Sequence, residues 1–200
     1  VNDRRSIVST YENGRFYSRY DESIYMEYLE RFGLDRRIKF GKLSKGQKIK
    51  AQFAFALSTD PKYLILDEPT ANFDPDFKQD FLNVIMQFME SGKKSVIIAS
   101  HILDELDRIA DYLIYLDKGE LVYSGDIESF RDKYRIISGE SYKVKLLKQE
   151  DIIHVEDRKY GTKALVVNHG YSKYDGALTV TVPTLEEFMY HYSKRGESVI

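Results

Sequence analysis

The sequence predicts an α/β protein with a parallel-sheet core and a small α+β lobe appended to it. Two apolar runs, Tyr63-Leu64-Ile65-Leu66 and Ser95-Val96-Ile97-Ile98-Ala99, are bounded by turn residues, as strands buried on both faces of a parallel sheet are. Segments of helical period precede, separate and follow them, and that order implies right-handed crossovers. From about Ser138 the pattern changes: residues 142–146 and 177–182 alternate apolar and polar, the mark of half-exposed antiparallel strands. The expected organisation is therefore a first domain over residues 1–137 and a small accessory α+β domain over 138–200.

The elements follow in order. Asn13-Gly14 is an expected turn. Asp21 caps a short helix whose apolar face is Ile24, Tyr28, Leu29 and Phe32, and Gly33 ends it. Ser44-Lys45-Gly46-Gln47 opens a second helix, with Ile49, Phe53 and Leu57 on one face and Pro61 closing the unit. The first strand ends in Asp67-Glu68. Asp74-Pro75 starts a long helix with Phe77, Phe81, Val84, Ile85 and Phe88 turned inward and Gly92 as its stop. The second strand leads into Ser100-His101 and a further expected helix. Residues 112–116 and 120–123, joined by Asp117-Lys118-Gly119, read as a hairpin at the sheet's edge. Thr184-Leu185-Glu186-Glu187 is a capping box that starts a last helix carrying Phe188, Met189 and Tyr192.

With 42% hydrophobic and 31% charged residues, the chain has the material for a core. A formal net charge of -2 argues against nucleic-acid binding by bulk electrostatics. The absence of cysteine excludes a disulfide scaffold and thiolate chemistry. No stretch approaches the roughly 18 apolar residues of a spanning helix, so a membrane role would run through docking to another chain.

Three short segments carry chemistry. Asp67 and Glu68 stand where a parallel strand leaves its sheet, the edge at which ligands of such sheets bind. There Asp67 can hold Mg²⁺ and Glu68 can orient or deprotonate a water; the alternative is an acidic turn capping the next helix. Ser44-Lys45-Gly46-Gln47 places a hydroxyl, a glycine and free amides at a positive helix end, an anion site or simply a Ser-capped helix. His101 leaves the second strand at the same edge and could bond a phosphate oxygen or a water.

Taken in order and spacing, these segments resemble the ABC-type ATPases: Leu43 to Gln47 their signature motif, Tyr63 to Glu68 their Walker B strand, Ala71 to Asp74 their D-loop, and His101 their switch histidine. The resemblance covers about residues 20–130. It implies a P-loop ATPase core with a helical signature subdomain, ATP and Mg²⁺ as cofactors, and an ATP-hydrolysing subunit of a transporter. By it, Ser44, Gly46 and Gln47 approach ATP held by an opposite subunit, Asp67 ligates Mg²⁺, Glu68 is the catalytic carboxylate, His101 senses the γ-phosphate, and Asp74 makes a cross-dimer contact. The implied partners are a second ATPase subunit and a separate membrane permease, with no nucleic acid. The implied location is cytoplasmic, peripheral on the inner face of the cell membrane. Lys45, Gln47-Lys48 and the Pro183 to Met189 ending resemble the antibiotic-export, bacitracin-resistance branch. Lys45 replaces the family's usual Gly, and Asn72-Phe73 replaces its small-residue-then-Leu pair.

A P-loop needs Gly-x-x-x-x-Gly-Lys-Ser/Thr. Gly41 to Lys48 has both glycines, but Gln47 stands where the lysine must be. The family's Q-loop glutamine is absent as well. The resemblance would put both motifs upstream, so the sequence is expected to be truncated before the P-loop and inactive alone. The alternatives are an ABC-type ATPase of DNA repair or translation, or a non-catalytic regulatory module centred on residues 138–200.

Overall fold

Asp21 opens the first helix through its carboxylate, which accepts from the backbone amides of Ser23 and Ile24. The computed structural model describes residues 6, 7, 14, 16–103, 106–171 and 178–196. Asn13 of the expected turn and Ala177 of the expected strand lie outside them. The chain divides into two compact units, Val1–Ile102 and Leu103–Ile200.

In the first unit, helix α1 (Glu22–Arg31) buries Tyr25 and Leu29 and stops at Gly33, whose φ of 68° favours a residue without a Cβ. It packs on α2 (Lys45–Ser58), which buries Ala51, Phe53, Ala54 and Leu57. Strand β1 (Tyr63–Asp67) follows, then α3 (Pro75–Met89) with Asp74 as N-cap, then β2 (Ser95–Ala99). An aromatic core holds the three helices together. Phe32 stacks on Phe53 at 5.7 Å and meets the edge of Phe77 at 5.0 Å, while Phe53 lies 4.9 Å from Phe81. Arg31 adds an ion pair to Asp80 at 2.6 Å.

Strands β1 and β2 pair in parallel, Tyr63 opposite Ser95 through Asp67 opposite Ala99. The expectation that both faces are buried is corrected. Leu64 is buried, but Tyr63, Ile65 and Ile97 are 71%, 74% and 60% exposed. Among the described residues this sheet has two strands, and one of its faces carries these exposed side chains.

The second unit begins with a 3₁₀ turn at Leu106–Arg108 where a helix was expected; residues 104 and 105 lie outside the described set. The hairpin β3 (Tyr112–Asp117) and β4 (Glu120–Asp126) turns through Lys118 and Gly119, both at positive φ, 51° and 83°. Among the described residues it forms a sheet of its own rather than the edge of another. Helix α4 (Ile127–Lys133), capped by Asp126, leads into β5 (Tyr134–Gly139). Then come α5 (Ser141–Val144), β6 (Ile152–Arg158), β7 (Gly161–Val167), β8 (Leu178–Thr181) and α6 (Leu185–Ser193). The antiparallel sheet has the order β6-β7-β5-β8.

Alternation along β5 and β7 serves two cores. Ile136 and Leu165 join Tyr115, Tyr123, Phe130, Leu185 and Phe188 on one side; Ile137, Ala164 and Val166 join Val144 and Leu147 on the other. This corrects the expected boundary at 137/138, because β5 spans it and hairpin and α4 side chains share a core with α6. Residues 142–146 are not a strand: Val144 and Leu147, three apart, are the buried pair, which is a helical spacing. The capping box of α6 is present, with Thr184 Oγ1 accepting from the Glu187 amide at 3.1 Å.

Candidate functional site

Each site segment leaves a regular element of the first unit. At the end of β1 the backbone kinks: Glu68 has φ of 45°, and its N–H donates to the Ala99 carbonyl at 2.8 Å. A left-handed glutamate is sterically disfavoured, so the strand end carries strain of about 1–2 kcal/mol, and such strain collects at functional positions. The kink aims Glu68 at the chain leaving β2. Glu68 Oε2 lies 2.7 Å from His101 Nδ1, an ion pair when the imidazole is protonated. That oxygen is shielded from solvent and, among the described residues, has no well-aligned hydrogen-bond donor. A buried carboxylate oxygen in that position suits a donor brought by a ligand or a water. Asp67 lies beside it, exposed, opposite Ala99 in the register.

The second grouping starts at Ser44. Its Oγ accepts from the Gln47 amide at 3.1 Å, while Gln47 Oε1 accepts from the Ser44 amide at 3.0 Å. The capping box thus occupies one lone pair of Ser44 and the carbonyl of Gln47, leaving the hydroxyl hydrogen free to donate. Gly46 faces the D-loop-like segment closely: a Cβ there would stand 2.5 Å from the Asn72 carbonyl oxygen. One turn along α2, Lys50 Nζ lies 3.3 Å from Asp74 Oδ2 and 3.8 Å above the Phe77 ring. Asp74 also caps α3, accepting from the Phe77 amide at 2.9 Å. That amide first, and then Lys50, hold its carboxyl below the usual carboxylate range. Phe73, the unusual residue of this segment, is buried and meets Phe77 edge-on at 4.5 Å, so it serves as core.

The structure therefore joins Glu68 to His101, places Asp67 beside them, and joins the start of α2 to residues 72–74. Among the described residues no hydrogen bond or ion pair links the two groupings. Lys50 was missed in the sequence, although its place four residues after Gly46 puts both on one helix face. Within Gly41 to Lys48 the structure has a 3₁₀ turn, Phe40–Lys42, leading directly to the Ser44 cap of α2.

For Mg²⁺, Asp67 supplies one oxygen ligand of the right class. Among the described residues no group of three or more metal-binding side chains exists, so such an ion would take its remaining ligands from water and phosphate. Among these residues too, no helix is long and apolar enough to cross a membrane.

Strand-end carboxylates and a helix-opening serine motif thus stand on one α/β fold. Residues 4–71 match the ABC transporter family model. An ABC transporter ATP-binding protein of Mycoplasma pneumoniae is 40% identical over 101 residues, 49% of this chain and 31% of that protein. The energy-coupling factor transporter ATP-binding protein EcfA2 of Caldanaerobacter subterraneus subsp. tengcongensis is 41% identical over 95 residues, 47% of this chain and 33% of its own length. A solved cobalt-transport ATP-binding protein (cbiO-2) superposes with a TM-score of 0.58 at 20% identity, covering 96% of this chain and 68% of that one. The fold is thus that of ABC ATPase structures. Over the matched stretch the chain is related to ATP-binding subunits of ABC transporters, and it aligns with about a third of those curated relatives' length.

Proposed function

We infer that this chain supplies the signature and hydrolysis elements of an ABC-type ATPase subunit that, paired with a second subunit, powers a separate membrane permease. The observation that carries this is the 2.7 Å approach of Glu68 and His101 at the end of the parallel strands. Bound ATP and Mg²⁺ would supply the reacting phosphoryl group and its charge neutralisation. Glu68 would align a water or accept its proton, with His101 fixing the carboxylate and Asp67 holding the cation. Ser44, Gly46 and Gln47, with Asp74, would face a nucleotide held by the second subunit. The subunit would sit peripherally at the cytoplasmic face through its permease. Placement in the bacitracin-resistance branch rests on Lys45, Gln47-Lys48 and the Pro183 to Met189 ending, and the energy-coupling relatives support only the wider transporter class.

The test is Glu68→Gln in an assembly that binds ATP. The amide keeps the shape but cannot take a proton, so turnover should fall about 10²–10⁴-fold. It also removes a negative charge near the triphosphate, so ATP affinity should hold or rise. Hydrolysis at close to the parent rate would reduce Glu68 to a strand-end cap.

A further inference from the structure

One stretch of the first unit concentrates positive charge that neither the core nor the proposed ATPase role uses. From Glu30 to Lys50 the chain holds eight Lys and Arg against two acids, although its totals are 30 and 32. Three of the eight are already paired: Arg31 with Asp80, Arg37 with Asp35 and Lys50 with Asp74. Arg36, Lys39, Lys42, Lys45 and Lys48 have no ion pair among the described residues, and the one acid of the stretch outside a pair is Glu30. Two consecutive turns gather these cations. The Ile38 N–H donates to the Asp35 carbonyl at 3.0 Å and the Lys42 N–H to the Lys39 carbonyl at 2.8 Å. Such turns keep their end Cα atoms within about 7 Å. Lys48 reaches back from α2, its Nζ 5.7 Å from the centre of the Phe40 ring, the residue after Lys39. Arg36, Lys39 and Lys42 are exposed and Lys48 is half-buried. Like charges so gathered repel one another, and an anionic partner relieves that repulsion.

We propose that Arg36, Lys39, Lys42 and Lys48 form a docking surface for an acidic segment of another polypeptide, a short run of Asp and Glu side chains. Charge selects an anion, and the surroundings select its class. Phe32, Leu34, Phe40 and Leu43 are buried, and no large apolar side chain of the stretch is exposed. Nothing here enters a bilayer, and no ring offers a platform on which bases stack. A bilayer or a long duplex also extends past the cluster and meets the rest of the chain. That remainder holds all but two of the 32 acids, and its acids outnumber its bases. A short acidic segment covers the cations alone. Lys45, beside the Ser44 group assigned to nucleotide, is left out, so the surface does not depend on the ATPase reading.

The experiment is fluorescence anisotropy of a labelled oligoglutamate peptide titrated with the 200-residue chain. No permease and no nucleotide are present, so failure leaves the ATPase reading intact. Binding should weaken as salt rises. Arg36→Gln with Lys39→Gln and Lys42→Gln should weaken it about eightfold, from about twofold for each exposed ion pair. The same change of charge at Lys62, Lys93 and Lys159 should alter it less than about twofold. Unchanged urea midpoints would show that both triple variants fold, and Lys48→Gln should by itself cost about twofold. Absence of salt-dependent binding by the parent chain would overturn the proposal, as would equal losses in the two triple variants or none in the first. Tighter binding of a duplex oligonucleotide or of phosphatidylglycerol vesicles than of oligoglutamate would overturn it in favour of a nucleic-acid or lipid surface. Self-association that the Arg36, Lys39 and Lys42 changes abolish, with no peptide bound, would overturn it in favour of a second copy of this chain.

Discussion

Gly46→Ala sets two physical effects against each other at the start of α2. Gly46 is the second residue of the helix, with no left-handed φ, so alanine fits the backbone and should gain up to about 1 kcal/mol of helix propensity. Against that, the new methyl would stand 2.5 Å from the Asn72 carbonyl oxygen, a backbone atom in a segment pinned on both sides. Phe73 is wedged between Phe77 and Phe81, and Asp74 is held by the Phe77 amide and Lys50. Overpacking costs about 1–3 kcal/mol, and a pinned backbone neighbour puts it at the upper end, about 2–3, so after the propensity gain the net loss should be about 1–2 kcal/mol. Urea unfolding of the 200-residue chain should show a lower midpoint at unchanged slope. Amide exchange should quicken at Phe73, whose N–H donates to the Thr70 carbonyl at 3.1 Å. Equal or higher stability would refute the packing argument and leave close ligand approach as the reason for a glycine here.

Acid should loosen the second unit through His191, which is buried on α6 and shares a 2.8 Å Nδ1–Nδ1 hydrogen bond with His154 of β6. Burial, then His154, lowers its pKa to about 4, against about 6.5 unfolded. The unfolded chain therefore binds the extra proton between those values. Stability is complete above pH 6.5 and falls by about 3 kcal/mol as pH drops through 4; the slope should flatten in His191→Gln. Replacing Ile65 and Ile97 by Thr should change the urea unfolding free energy by less than about 0.5 kcal/mol, because both side chains are already in water. The 200-residue chain alone should show no sustained phosphate release with Mg²⁺ and ATP; robust turnover would show that another segment replaces the P-loop lysine and amides.

What could be read from residue order was local. Caps at Asp21, Ser44, Asp74 and Thr184 announce their helices because a side-chain oxygen satisfies amides two or three residues on. The Lys118-Gly119 turn and the pairing of two parallel strands were legible for the same reason: turn chemistry and hydrophobic period act over a few residues. Residues 142–146 show where this fails. Their alternation fits a strand, but burial of Val144 with Leu147 against β5 and β7 favours a helical turn, and local pattern cannot weigh distant partners. Both faces of Tyr63 to Leu66 are apolar in sequence, yet only packing decides which is covered. The site divides along the same line. Strand-end Asp67 and Glu68, Ser44 and His101 are adjacent to recognisable elements, so their candidacy follows from order alone. That Glu68 turns left-handed to meet His101, that Gly46 abuts Asn72, and that Lys50 reaches Asp74 are contacts between residues 24–33 positions apart. Those contacts exist only once the helices and the strand pair have packed, because tertiary packing alone brings such distant groups within a few ångströms.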